Sequence, residues 1–317
     1  GHCFEGFSQH PKLVIDLREM DAIQYDAETQ IVTAQAGTHL GRLAHGLAKH
    51  GVSVPLGVCP TVAMSGYTLG GGIGYLARRD GLLIDQLQSL RLVTADGALI
   101  SVSAQEHPDL FWACRGGGGG NFGIVTDLTF RVQPSQPMRW VQMIEAADAV
   151  RAAETLFLWQ HRVQTYPRHT TLHLRISRRT DTTFQMELEG LSGWSQDDLQ
   201  QEIALLMRTD PASVRLAIFA GKPGELVQRM MPNGAGTSSD LLSHSHLFDG
   251  PLSERGTLGV LSELFDHQQG RINLNLEPLG GAVSDVAPDA TAFPHRQSSF
   301  VVQSQILLLT QESANHL

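Results

Sequence analysis

Cysteine is scarce in this sequence: Cys3, Cys59 and Cys114 are the whole complement in 317 residues, too few and too odd in number for a disulfide framework. Each thiol is therefore a question of individual chemistry. No run of Lys or Arg occurs and the formal charge is −9, so the chain lacks the basic face that nucleic acid or an anionic membrane surface requires. The partner expected is a small-molecule substrate, with no nucleic acid and no membrane. No apolar stretch approaches the roughly 20 residues that cross a bilayer. A Walker A lysine loop, a Cys-x-x-Cys pair and a His-Glu-x-x-His helix are all missing, and His244 and His246 read as part of a solvated polar loop, so no metal site is expected. An initiating methionine is missing too. Gly1 opens directly into a dense motif, from which an incomplete reading frame is expected and no compartment can be read.

With 42% hydrophobic residues the chain can bury a substantial core, and its length suggests about two domains. In the first part Leu13–Leu17 and Ile31–Gln35 read as strands. Leu40, Leu43, Ala44 and Leu47 recur at helical spacing between Thr38, a candidate cap, and Gly51, a candidate stop. Leu90–Ala95 and Ala98–Ser103 flank Asp96-Gly97, a pair suited to a tight hairpin turn, and a helix near Pro108–Cys114 precedes a strand at Ile124–Val132. Pro134 and Pro137 bracket a boundary, giving domains over 1–136 and 137–317. Beyond it, segments such as Leu172/Leu174/Ile176, Phe184/Met186/Leu188 and Ile272/Leu274/Leu276 alternate strictly with polar residues, the mark of an antiparallel sheet buried on one face. Helices near 147–164, 195–208 and 253–267 can cover that face. His173, Arg175, Gln185, Glu187, Asn273, Asn275 and Glu277 then fall on the other, which either lines a cleft or is simply solvated. The fold class is α+β.

Two glycine-dense segments, Gly66–Gly74 and Arg115–Gly123, carry the first chemical signal. Side-chain-free backbone can approach a ligand closely and offer its amides to a pyrophosphate without a lysine. A flexible linker would have polar flanks, whereas Phe111-Trp112 and Ile124–Phe130 are core-type residues. Gly72-Ile73-Gly74-Tyr75-Leu76-Ala77 also satisfies the nicotinamide-binding fingerprint G-x-G-x-x-A, but Cys59-Pro60-Thr61 and Ser65-Gly66 precede it where a buried strand should stand. An NAD-dependent Rossmann dehydrogenase is therefore the rival reading.

Taken in order, Gly1–Ser8, Gly57–Val62, Ser65–Tyr75, His107–Trp112, Arg115–Gly123, Glu277–Gly281 and Ala292–Arg296 resemble the berberine bridge enzyme-like FAD-linked oxidases of the vanillyl-alcohol oxidase superfamily, with its PCMH-type FAD-binding domain. The resemblance implies an incomplete FAD-binding domain over 1–136 and a substrate domain over 137–317. It implies FAD held by two covalent bonds, from His2 to the 8α-methyl and from Cys59 to ring carbon 6. Imidazole and thiolate are nucleophiles able to add to an electron-poor flavin. Around them the cofactor-binding set is Pro60, Thr61, Val62, Ser65, Gly66, Tyr67, Gly70, Gly71, Gly72, Gly74, Gly118, Gly119, Gly120, Asn121, Phe122, Gly123, Ile124 and Val125.

Several positions depart from the family pattern. Tyr67 stands where members often have histidine, and its phenol is a candidate donor to developing negative charge on the flavin. Phe4 and Ile73 replace tyrosines and make the pocket less polar; with Asn273, Asn275 and Glu277 they form the expected substrate contacts. Val62 resembles members whose flavin oxygen can reach, so O2 is the expected acceptor. The resemblance also implies a subdomain before Gly1 and a catalytic tyrosine after Leu317. In the expected 298–309 strand, Gln303 is placed to orient a substrate hydroxyl, although an amide is a poor base. The activity implied is oxidation of an alcohol or sugar hydroxyl by hydride transfer to flavin, with H2O2 released. A catalytically silent fragment is the other possibility.

Overall fold

The computed structural model describes residues 10–57, 59–179, 183–209, 215–230, 240–266 and 271–308. The chain divides into two compact units, the first made of residues 1–137, 221–232 and 281–296, the second of the remainder.

The first unit opens with β1 (Ile23–Asp26) and β2 (Ile31–Gln35), then α1 (Leu40–Ala48) and β3 (Val52–Ser53). Three short helices follow, α2 (Met64–Leu69), α3 (Ala77–Asp80) and α4 (Leu83–Gln86), and then β4 (Leu87–Val93), β5 (Leu99–Ser103), α5 (Pro108–Ala113), β6 (Ile124–Arg131) and β7 (Gln133–Pro134). Its main sheet runs β1-β2-β6-β4-β5, and every neighbouring pair is antiparallel. Alternation places Val32, Ala34, Leu90, Leu92, Val102, Leu128 and Phe130 on one face, where they bury against Leu40, Leu43, Ala44 and Leu47 of α1. The hairpin forms as the sequence indicates: Gly97 has φ +87° and Thr94 N–H donates to Ala98 O at 2.9 Å.

Two expectations fail here. Leu13–Leu17 forms no strand, and Leu13, Val14 and Ile15 are largely exposed; an apolar run of this length is a strand only where a neighbour offers its backbone groups. Thr38 does not cap α1 either. His39 holds the cap position without a side-chain bond, and the buried Thr38 hydroxyl has no partner among the described residues. The antiparallel sheet also leaves the nicotinamide fingerprint without its βαβ unit, because Gly72-Ile73-Gly74 follows α2 instead of a strand.

The second unit begins at β8 (Met138–Ala147) and continues through α6 (Ala149–Arg162), β9 (Thr170–Arg178), β10 (Phe184–Ser192), α7 (Gln196–Met207) and β11 (Arg215–Gly221). The chain then returns to the first unit as α8 (Pro223–Met230), where Gly224 packs on Ala48 of α1. It comes back as β12 (Asp240–Phe248), α9 (Glu254–Asp266) and β13 (Arg271–Pro278), visits the first unit again over 281–296, and ends the described region in β14 (Phe300–Leu308). His244 and His246, expected in a loop, lie exposed in β12 instead, because an edge strand paired with β14 can carry polar side chains along its length. The seven strands are ordered β11-β8-β10-β9-β13-β14-β12. Asp148 and Ser195 cap α6 and α7 by accepting from Arg151 and Asp198 amides. Leu156 and Trp159 of α6, Leu199, Ile203 and Leu206 of α7 and Leu261 of α9 bury the sheet face carrying Leu172, Leu174, Ile176, Met186, Leu188, Leu274 and Leu276. Neither return to the first unit was read from the sequence, which had placed 221–232 and 281–296 with the substrate region.

Candidate functional site

The first amides of a helix have no intrahelical acceptor. At α1 they are taken by the Cys-Pro-Thr turn: Leu40 N–H donates to Val62 O at 2.9 Å and Gly41 N–H to Pro60 O at 3.1 Å. Val62 N–H closes the turn on Cys59 O at 3.3 Å, and Met64 N–H returns to Thr38 O at 2.8 Å. The Cys59–Val62 turn is thus itself the cap of α1, which is why Thr38 is not needed in that role. It holds Cys59 half-buried and Thr61 exposed at the start of the first glycine-rich segment. Cys114 contrasts with it: burial pushes that thiol up to about 11, so it is a core residue.

The two glycine-rich segments meet. Gly118 N–H donates to Leu69 O at 2.9 Å, and a Cβ on Gly119 would come within 3.9 Å of Gly66 Cα. Gly66, Gly70, Gly119, Gly120, Asn121 and Phe122 are exposed, while Ser65 is half-buried. Gly119 and Gly120 amides donate to no acceptor among the described residues, and no atom lies within 4 Å of where a Gly120 Cβ would stand. Asn121 closes this loop through Nδ2 to Gly117 O at 2.9 Å. An open, lysine-free rim of unsatisfied amides fits the pyrophosphate and ribose stretch of a dinucleotide such as FAD. Gly71, Gly72 and Gly74 do not belong to that open rim. They are buried against Phe293, Leu83 and the Leu56 carbonyl, so their small size serves packing. Gly123 leads into β6, where Ile124 is half-buried and Val125 is in the core. Tyr67 donates its hydroxyl hydrogen to Ile73 O at 2.6 Å. The phenol expected to serve the flavin acts in this structure as a clamp across the 67–73 turn. His2 and Phe4 lie outside the described residues.

In the second unit, strand register assembles the polar face. Glu187, Arg175, Asn275, Gln303 and Ser245 stand side by side across β10, β9, β13, β14 and β12. Asn273 pairs with Ser177 and Gln305 in the row beside it. Arg175 donates from Nε to Asn275 Oδ1 at 2.7 Å and from Nη1 to Glu187 Oε2 at 3.1 Å, and its Nη2 lies 3.7 Å from Glu189 Oε1. Gln303 accepts from Gln305 Nε2 at 3.0 Å. Glu277, on the same face, has no hydrogen-bond or ion-pair partner among the described residues. Burial, reinforced by Glu189 and opposed by Arg175, pushes its carboxyl up to about 7. Burial, with Arg175 adding to it, lowers His173 to about 3 and keeps that imidazole neutral. Of this network, Arg175 and Glu187 were visible in the sequence as polar-face residues without an assigned role. Glu189 was missed, although extending the alternation of 184–188 by one step reaches it.

Residues 1–103 match the FAD binding domain family. An uncharacterised FAD-linked oxidoreductase of Bacillus subtilis (strain 168) is 32% identical over 315 residues, covering 94% of this chain and 66% of the relative. This chain belongs to the berberine bridge enzyme-like FAD-linked oxidoreductases. Within that family, berberine bridge enzyme-like 16 of Arabidopsis thaliana is 27% identical over 327 residues, covering 93% of this chain and 59% of the relative. The solved BBE-like 1 of Physcomitrella patens superposes with a TM-score of 0.88 at 24% identity, covering 100% of this chain and 71% of that one. The fold is accordingly the α+β, PCMH-type FAD-binding one of these FAD-linked proteins. The chain spans about two thirds or less of these two sequence relatives' lengths.

Proposed function

We propose that this family member oxidises an alcohol or sugar hydroxyl using an FAD attached through both His2 and Cys59. Residues 1–136, with the two returning segments, hold the cofactor, and the 137–317 region receives the substrate on its polar sheet face. The flavin, when bound, would supply a hydride acceptor for which O2 would be the oxidant and H2O2 the product. The observation that carries this reading is Cys59: the turn that caps α1 holds it half-buried and leads into α2, whose Leu69 carbonyl takes the Gly118 amide of the second glycine-rich segment. Exposed Gly66, Gly119, Gly120 and Asn121 offer open backbone to the cofactor, and Val62 and Ile73 are half-buried. On the sheet face Asn273, Asn275 and Gln303 orient substrate hydroxyls. Glu277, whose carboxyl is raised towards neutrality and has no hydrogen-bond or ion-pair partner among the described residues, accepts the hydroxyl proton at an Oε atom.

The test is to purify the protein, precipitate it with acid and follow the yellow colour, then weigh the peptide containing Cys59. Flavin retained in the pellet and on that peptide, and released by Cys59→Ala when His2 is also replaced, supports the reading. A panel of alcohols, aldoses and oligosaccharides mixed anaerobically should bleach the flavin, and air should restore it with H2O2. Colourless protein, or flavin that no hydroxyl compound reduces, refutes it in favour of a catalytically silent polypeptide.

A further inference from the structure

Arg296 is completely buried, and its Nε has no partner among the described residues. Its fork closes on Asp85 with Nη1–Oδ2 and Nη2–Oδ1 distances of 2.8 Å each, and Nη2 also donates to Thr291 Oγ1 at 2.8 Å. Desolvating two charges costs several kcal/mol each, so such a pair is a poor way to add stability and a good way to fix one geometry. Two routes lead from it to the glycine-rich segments. Through Asp85, Oδ2 accepts Leu82 N–H at 2.8 Å at the start of α4, whose Leu83 and Ile84 amides donate to Gly72 O at 3.0 Å and Gly71 O at 3.3 Å. Through its own chain, the guanidinium lies 5.5 Å from the Phe293 ring centre, and Phe293 occupies the space where side chains on Gly71 and Gly116 would stand. A Cβ at Gly71 would meet the ring at 2.9 Å, and one at Gly116 would meet the Phe293 Cβ at 2.6 Å. Trp112 Nε1 to Asp289 O at 2.7 Å and Arg115 Nη2 to Ala290 O at 3.0 Å pin the same returning segment to the second glycine-rich stretch.

We propose that Arg296 is a positioning residue for the cofactor rim: locked to Asp85, it sets Phe293 as the spacer that fixes the separation of the two glycine-rich segments. The inference rests on reading those segments as the flavin cradle. No part of the guanidinium needs to touch the flavin.

Amide hydrogen exchange in flavin-free protein tests it, alongside FAD titration of the same variants. Arg296→Gln and Phe293→Ala should each speed exchange about tenfold or more at both 66–74 and 115–123, with β9 and β10 unaffected, and should weaken FAD uptake by a similar factor. Arg296→Lys keeps the charge and loses the fork, so it should behave like Arg296→Gln. If Arg296→Gln does not fold, Phe293→Ala, which leaves the ion pair in place, carries the test alone. Exchange unchanged at either segment, or a lysine variant equal to wild type, overturns the proposal. Wild-type protein that shows the expected exchange pattern across variants yet never takes up FAD sinks the flavin reading while leaving Arg296 as the spacer lock.

Discussion

Replacing Glu277 by Gln should make the folded protein more stable at pH 8 and leave it unchanged at pH 4. The folded-state carboxyl titrates near 7 against an ordinary 4.5, because burial and Glu189 disfavour its charge more than Arg175 favours it. A raised folded pKa stabilises the protein fully below pH 4.5, and that contribution disappears as pH climbs through 7. At about 1.4 kcal/mol per pH unit across that interval, ionised Glu277 disfavours the fold by about 3 kcal/mol at most. The side chain is only partly covered, so solvent reduces the figure to about 1–2 kcal/mol. Gln has the shape of the neutral acid and no charge to desolvate. Urea unfolding of both proteins at pH 4, 6 and 8 should give coincident midpoints at pH 4 and a gap that opens between pH 5 and 7. In the active enzyme, substrate-driven flavin reduction should rise with pH through about 7 in wild type and lose that limb in the Gln variant. A gap independent of pH would show that the difference does not come from the ionisation of Glu277, and a Gln variant less stable at pH 8 would show that its carboxylate is stabilised by a neighbouring cation; either result refutes the reasoning.

Arg175→Met should remove the cation shared by Glu187, Glu189 and Asn275, so that urea midpoints fall more steeply with rising pH than in wild type and recover on acidification; an unchanged slope counts against the network. Thr38→Val should be neutral or stabilising by about 1 kcal/mol in thermal unfolding, since the hydroxyl it removes is buried and unbonded; a clear loss of stability would reveal a hidden partner. Gly190→Ala should cost about 1–3 kcal/mol, because its Cβ would stand 1.9 Å from the Thr171 carbonyl on the neighbouring strand. A midpoint unchanged in denaturant would mean that β9 and β10 slide apart freely at that point.

Local pattern carried part of the second unit: alternation over 172–176, 184–188 and 272–276 marks β9, β10 and β13, and the helices expected near 147–164, 195–208 and 253–267 do cover the apolar sheet face, whereas β8, β11, β12 and α8 carry no pattern that was read. The hairpin at Asp96-Gly97 was legible for the same reason. Leu13–Leu17 was misread because a strand is only half encoded in its own residues; the other half is a partner edge, which Ile31–Gln35 finds in β1 and β6. The Thr38 cap failed on a similar ground. A threonine before a helix is a good local guess, but the acceptors for the α1 amides come from residues 60 and 62, about 20 positions downstream in the chain.

The glycine-rich segments show both sides of this limit. Their density marks a close approach of backbone to something, and composition alone treats that something as a ligand throughout. Only the fold separates Gly120, which faces open space, from Gly71 and Gly74, which face Phe293 and the Leu56 carbonyl. The neighbour of Gly71 arrives 222 residues later in the chain, held by a guanidinium whose carboxylate partner lies 211 residues before it. No window of sequence contains both members of that pair. The same holds for the polar face: Arg175 has one cationic charge, and Glu187 and Glu189 take it because β10 pairs with β9 in that register. Glu277 comes from β13 on the opposite side of β9, where Arg175 is the one Arg or Lys that β9 and β14 carry at polar-face positions. Its raised carboxyl is therefore a consequence of register, and shifting β13 by one residue would turn it to the apolar side and abolish the titration altogether.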